Sequence, residues 1–167
     1  MKIIRTKTEI GKSLQSAVKK LEENTKVGKV GWFENAKYDS GVRVAKIAAI
    51  QDRGLSEKNI PKRPMLEPTV AREQQNWKRI FLMETRKLLK DEIGISHILE
   101  RLVNRAAGDV KKTISQIIEP PLKPATIRAR TRKYKDKKIT DTLSKPLIET
   151  GILLSTVTGI VIEESSD

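Results

Sequence analysis

Between Lys145 and Ile162 the chain reads KPLIETGILLSTVTGIVI, and this stretch restricts the fold more than any other. Pro146 fixes its own φ and biases Lys145 towards an extended backbone. Thr150 is placed to cap a short helix, its hydroxyl accepting from an otherwise orphan N–H. Gly151 allows the first turn of that helix to approach a neighbour closely. Leu153 and Leu154 are expected to point inward, and Val157–Ile162 reads as a strand rich in β-branched residues. None of these side chains is chemically reactive. The stretch is expected to dock rather than to catalyse.

With 167 residues the chain is long enough for one domain, which would bury about two-thirds of its unfolded surface. Hydrophobic residues make up 37% and aromatics only 4%, so the core must be aliphatic and thin. A charged fraction of 33% favours long solvated helices over a compact enzyme with a deep pocket. The absence of cysteine excludes disulfides, thiol catalysis and cysteine-based metal sites together. A net charge of +13 implies polyanionic surroundings: nucleic acid, an anionic membrane or an acidic protein. The start, MKIIRTKTEIGKSLQ, is basic without an apolar core, so no signal peptide is expected. No apolar run approaches the roughly 18 residues of a membrane-spanning helix.

Taken in order, Ile10, Leu14, Val18 and Leu21 recur at steps of four and three, which predicts an amphipathic helix over Thr8–Glu23 with a lysine-rich outer face. Val27–Phe33 reads as a strand in which Gly28 and Gly31 signal a bulge or close packing, and Asn35–Gly41 is turn chemistry. Val42–Arg53 has helical spacing and ends at Gly54, where a C-terminal cap belongs. Prolines 61, 64 and 68 then hold the backbone extended, with Pro68 suited to the first turn of a long helix over Thr69–Asp91. After Gly94 a second long helix is expected from Ser96 to Ile118. Its seam is Ile98, Leu102, Ala106, Val110, Ile114 and Ile118, suited to helix-on-helix packing, and Glu119-Pro120-Pro121 stops it. A short helix start after Pro124 leads into a basic loop region, 122–145, and residues 163–167 read as a frayed end. The expected fold is a single, mostly helical α+β domain with long helices and a small antiparallel sheet.

Signals for catalysis are weak. His97 is the only histidine, and it sits at a helix start without a cysteine or second histidine to complete a site. The adjacent acid pairs Glu22-Glu23, Asp91-Glu92 and Glu163-Glu164 lie at element ends, where neighbours in sequence do not converge on a metal. No phosphate-binding glycine loop occurs. The reading is of no enzyme, no metal and no cofactor. Trp32, Phe33, Trp77 and Phe81 are expected in the core. The sharpest feature is basic: Lys123, Arg128, Arg130, Arg132, Lys133, Lys135, Lys137 and Lys138 stand against Asp136 alone. Such a run is either a solvated loop or a contact for phosphates or an acidic protein. With Tyr134 the only aromatic among them, base stacking is poorly supported.

Three stretches together resemble the phage tail-completion and virion-morphogenesis proteins. VAKIAAIQDRG followed by IPKRPMLEP resembles their helix, glycine and I-P-x-R-P-F-L-x-P signature. PLKPATIRAR resembles their L-x-P-x-T-I element, and KPLIETGILLSTVTGIVI their closing P-L-I-x-T-G-x-L-x-x-S-I segment. The matched positions are Gly54, Ile60, Pro61, Arg63, Pro64, Leu66 and Pro68, then Leu122, Pro124, Thr126 and Ile127, then Pro146, Leu147, Ile148, Thr150, Gly151 and Leu153. Met65 stands where the pattern has Phe, and Gln51-Asp52-Arg53 replaces an acidic-aromatic lead into the glycine. The resemblance implies a structural virion protein, made in the bacterial host cytoplasm, at the head-proximal end of a tail. It would complete the tail or neck so that head and tail can join. Its implied partners are tail tube, tail terminator or neck and connector proteins and further copies of itself in a ring, with non-specific contact to packaged DNA and no membrane. The alternative that the charge supports is a sequence-independent DNA-binding protein, although no helix-turn-helix pattern is visible.

Overall fold

The computed structural model describes residues 11, 12, 14–16, 18–22, 25–90, 92–134 and 144–164. It is mostly helical, with a two-stranded antiparallel sheet, which is the class expected from the sequence. The described residues between 11 and 22 are helical (α1). They are followed by strand β1 (Lys26–Gly31), helices α2 (Val44–Arg53), α3 (Leu66–Leu89), α4 (Ile95–Gln116), α5 (Pro124–Lys133) and α6 (Ile152–Ser155), and strand β2 (Thr158–Glu163). The chain divides into two compact units, one from Met1–Val30, Glu73–Ala106 and Gly159–Asp167, the other from Gly31–Arg72 and Ala107–Thr158.

In the first unit the sheet and α4 meet at two glycines. A Cβ at Gly28 would lie 2.6 Å from Val103 Cγ1, and one at Gly159 would lie 2.6 Å from both the Cβ and the carbonyl oxygen of Val103. The close packing anticipated for Gly28 is therefore real, and β2 supplies its counterpart. Lys26 Nζ donates to Ser96 Oγ at 2.8 Å, tying β1 to the first turn of α4. Glu84 of α3 is buried but accepts from Arg101 of α4 at 2.8 Å and pairs with Lys87 at 3.2 Å. Leu14, Val18 and Leu21, the apolar row of α1, are all exposed.

In the second unit α3 and α4 are clasped by hydroxyls. Thr69 Oγ1 lies 2.6 Å from Thr113 Oγ1 and 2.7 Å from the Met65 carbonyl, and Arg72 Nη2 donates to Thr113 Oγ1 at 2.9 Å. Met65, Val44, Ile114 and Val157 are fully buried here. Met65 thus fills core space, a role that its flexible thioether suits in place of a phenyl ring.

Several expectations are adjusted by this packing. The every-fourth-residue seam of α4 holds at Ile98, Val110 and Ile114, but Val103 and Ala107 take its middle places and Ile118 is exposed beyond the helix end. Steps of four overrun a 3.6-residue turn, so such a row winds off a flat contact face. Helix α3 begins at Leu66 rather than Thr69, because the Asp52 carboxylate of α2 accepts from the backbone N–H groups of Met65 and Leu66 at 2.6 and 3.2 Å. Gly151 has φ 73° with nothing near its missing Cβ, so it serves a left-handed backbone turn rather than a close approach. Thr150 Oγ1 stands 3.4 Å from Ile152 N, too long for a strong cap. Trp77 is half-buried and Phe81 exposed, so neither belongs to the core in which they were expected.

The glycines separate two kinds of substitution. Gly159→Ala should cost about 1–3 kcal/mol, because its Cβ meets backbone atoms that cannot rotate away. Gly108→Ala, in the middle of α4 with open space around it, should gain about 0.5–1 kcal/mol. Urea denaturation of the two variants should give midpoints on opposite sides of the parent protein.

Candidate functional site

The second unit carries both sequence features that pointed to function, the proline arm and the basic run. In the arm, Gly54 closes α2 with φ 77°, and a Cβ there would meet Lys62 N at 2.9 Å and Ile60 O at 3.1 Å. Both its left-handed backbone and the proximity of the returning chain require glycine. Leu55 and Ile60 exchange backbone hydrogen bonds of 2.8 and 3.0 Å around a 3-10 turn at Ser56–Lys58. Pro61 and Pro64 then hold the arm extended, and between them Arg63 turns inward.

Arg63 is buried. Its backbone N–H donates to Gln51 O at 2.8 Å. Its Nε and Nη2 donate to Pro120 O at 3.1 and 2.9 Å, Nη2 reaches Pro121 O at 3.5 Å, and Nη1 donates to Gln51 Oε1 at 3.2 Å. A Pro-Pro pair has no N–H of its own to enter regular structure, and the forked guanidinium supplies donors to its carbonyls. Burial, and then the charge of Arg130, push the Arg63 pKa down, although a guanidinium stays protonated in proteins.

A second buried guanidinium belongs to α5. Pro124 occupies the first turn of α5, and Arg130 on the inner side of that helix donates through Nη1 to Lys145 O at 2.8 Å and through Nη2 to Pro146 O at 3.3 Å. Its Nε lies 3.3 Å from Glu149 Oε2. Glu149 also pairs with Lys133 Nζ at 3.1 Å and accepts from Tyr134 Oη at 3.4 Å, and the Lys133 ammonium stands 5.1 Å from the Tyr134 ring centroid. A cleft of about 360 Å³ opens beside this cluster, lined by Tyr38, Ser40, Gln51, Arg130, Glu149 and Thr150 among others. Burial, and then the Glu149 charge, push the Tyr38 pKa up. The hydrogen bonds to Glu149 and Tyr134 push Lys133 up. Below α6, Leu147, Leu153 and Val157 are buried, and Trp32 Nε1 donates to Leu153 O at 2.7 Å.

The structure divides the eight basic candidates. Arg130 is internal, and Lys133 is engaged by Glu149. Lys123, Arg128 and Arg132 are exposed and have no ion-pair partner among the described residues. Arg128 and Arg132 lie one helical turn apart on the outer face of α5. Lys135, Lys137 and Lys138 lie outside the described residues. Where the sequence suggested a short helix start and a loop, residues 124–133 form a ten-residue helix, which is what separates inner Arg130 from outer Arg128 and Arg132. Among the motif positions, Leu147 is buried, Ile60, Pro64 and Pro68 are half-buried, and Pro61, Leu66, Pro124 and Thr126 are exposed. His97 is exposed, and among the described residues no group of three or more His, Asp or Glu side chains is placed to hold a metal ion. No helix of the described residues is long and apolar enough to cross a membrane.

Sequence reasoning noted Gln51 and Asp52 only as a departure from the family pattern, without their roles, and missed Glu149. A signal existed for the last of these: Glu149 is the only acid between Lys145 and Ile162, and it follows a strongly basic run. No protein-family model, curated protein or solved structure matches the chain.

Arg63→Lys should lower stability by about 2–3 kcal/mol in urea denaturation, since one ammonium cannot satisfy the Pro120 carbonyl and Gln51 together. Alkaline behaviour should follow Tyr38 and Lys133. Both pKa values are raised, so the native state keeps protons that the unfolded chain has released. The associated stability is complete below the ordinary values of 10.0 and 10.5 and is lost as pH climbs above them. Thermal melts from pH 8 upward should show this decline, and Tyr38→Phe should flatten part of it.

Proposed function

We propose that this chain is a structural virion protein that completes the head-proximal end of a bacteriophage tail, acting through protein contacts rather than catalysis. One observation carries the reading. The three stretches that resemble the tail-completion family are far apart in sequence, yet two buried arginines bond them in series. Arg63 of the first stretch reaches Pro120 and Pro121, where the second begins, and Arg130 at the end of the second reaches Lys145 and Pro146, where the third begins. Stretches that are bonded to one another in this way are what a shared scaffold requires, whereas a shared reaction would call for a converging reactive group. On this reading the outer faces of the scaffold meet tail tube, terminator or connector proteins and neighbouring copies in a closed ring.

The test is electron microscopy of particles assembled without this gene. Headless tails accumulating beside full heads, and joining once purified protein is added, are the expected result. Normal infectious virions would overturn it. In the same assay Arg63→Ala protein should fail to restore joining, because the arm and the Pro120-Pro121 segment lose their connection.

The exposed cations Lys123, Arg128 and Arg132 favour a second reading, sequence-independent contact with DNA. Three phosphate contacts would give a log–log salt slope of about −3 for duplex binding by the free protein. Arg128→Glu combined with Arg132→Glu should abolish that binding if this face is responsible.

A further inference from the structure

The first unit holds an open apolar groove of about 620 Å³ that none of the sequence motifs explains. One wall is the face of α3 carrying Trp77, Phe81 and Leu82. The other is the face of α4 carrying Leu99, Leu102 and Val103, and Gly28 and Val30 of β1 also contribute to the lining. Leu82 is 65% and Phe81 37% exposed, so large apolar surface faces solvent here. The α3 contribution runs from Gln74 to Leu82, a rise of about 12 Å, or a little over two helical turns. An open, elongated trough between two helices with apolar walls is the receptor half of helix-in-groove recognition.

The charges around it identify the occupant. From residue 74 to its end at Leu89, every exposed charged side chain of α3 is a cation: Lys78, Arg79, Arg86 and Lys87. Glu84, the acid of that span, is buried and bound to Arg101 and Lys87. Lys78 is itself part of the lining. The α4 residues of the lining, Leu99, Leu102, Val103 and Ala106, bring no charge of their own. The chain's own α1 has an exposed apolar row of suitable length in Leu14, Val18 and Leu21, but its described charges, Lys12, Lys19, Lys20 and Glu22, are mainly cationic. A second copy of α1 would bring like charge to Lys78. We propose that the α3–α4 groove binds an acidic amphipathic helix of a partner protein. Leucine-type side chains at i, i+3, i+4 and i+7 enter between Trp77, Phe81 and Leu102, and a carboxylate faces Lys78. The inference is independent of the virion reading, because it concerns a different surface and its test needs no virus.

The experiment uses the full chain and fluorescein-labelled synthetic helices about four turns long. One peptide has leucine on one face and glutamate on the other, and its counterpart has lysine for every glutamate. A third has the sequence of residues 8–23 of this chain, and phosphatidylglycerol vesicles are offered as competitor. Fluorescence anisotropy should show the acidic peptide binding about tenfold or more tightly than the lysine peptide at low salt, with the difference shrinking as salt rises. Lys78→Glu should narrow or reverse that preference. Leu82→Glu, at a site already exposed, should remove binding while the circular-dichroism melt stays unchanged. Absence of binding, equal binding of the lysine peptide, or binding insensitive to both substitutions would overturn the proposal. Tighter binding of the 8–23 peptide would reassign the groove to a second copy, and displacement of the acidic peptide by vesicles would reassign it to a lipid surface.

Discussion

Two guanidiniums are buried in a protein that has little aromatic core to spare, and the second unit is arranged around what they require. Arg63 and Arg130 each direct their donors at backbone carbonyls beside prolines, where no amide of regular structure is available to do so. An interior cation is tolerated only when its donors are used and its charge is compensated. Glu149 supplies the countercharge at Arg130, and carbonyl dipoles together with Gln51 surround Arg63. The two cations are close enough for the charge of Arg130 to depress the Arg63 pKa. Part of the favourable bonding therefore offsets their mutual repulsion, which ties the arm, the Pro120-Pro121 segment and the Lys145–Glu149 turn to one compromise geometry.

This arrangement explains which parts of the site could be read from sequence and which could not. Local rules located Gly54, the proline arm and the strands β1 and β2, because each follows from φ restrictions or β-branching within a few residues. The inward turn of Arg130 was not legible. Arg128, Arg130 and Arg132 are chemically identical in the sequence, and only the orientation of α5 against Lys145 and Pro146 distinguishes the middle one. Trp77 and Phe81 were misjudged for a related reason. Helical spacing shows that residues share a face but does not show whether anything covers it.

The first unit follows a different principle. Its sheet has only two strands, too few to be stable alone, and it gains support by admitting the Val103 side chain of α4 at Gly28 and the Val103 backbone at Gly159. Such close approach relies on dispersion over short distances rather than on large side chains. It suits a chain with few aromatics, and Phe81 is left exposed and Trp77 half-buried instead of both being required inside.

The connection between α2 and α3 also bears on how this protein could change over evolution. Residues 54–65 look like an ordinary surface loop, the kind of segment that usually accepts insertions. Here, however, Gln51 holds Arg63 and Asp52 holds Met65 and Leu66. The segment behaves as a ruler. One residue added or removed would shift two pairings out of phase together, misplacing Arg63 relative to Pro120 and leaving the first turn of α3 without its carboxylate. Substitution should be tolerated along this loop far more readily than any change in its length.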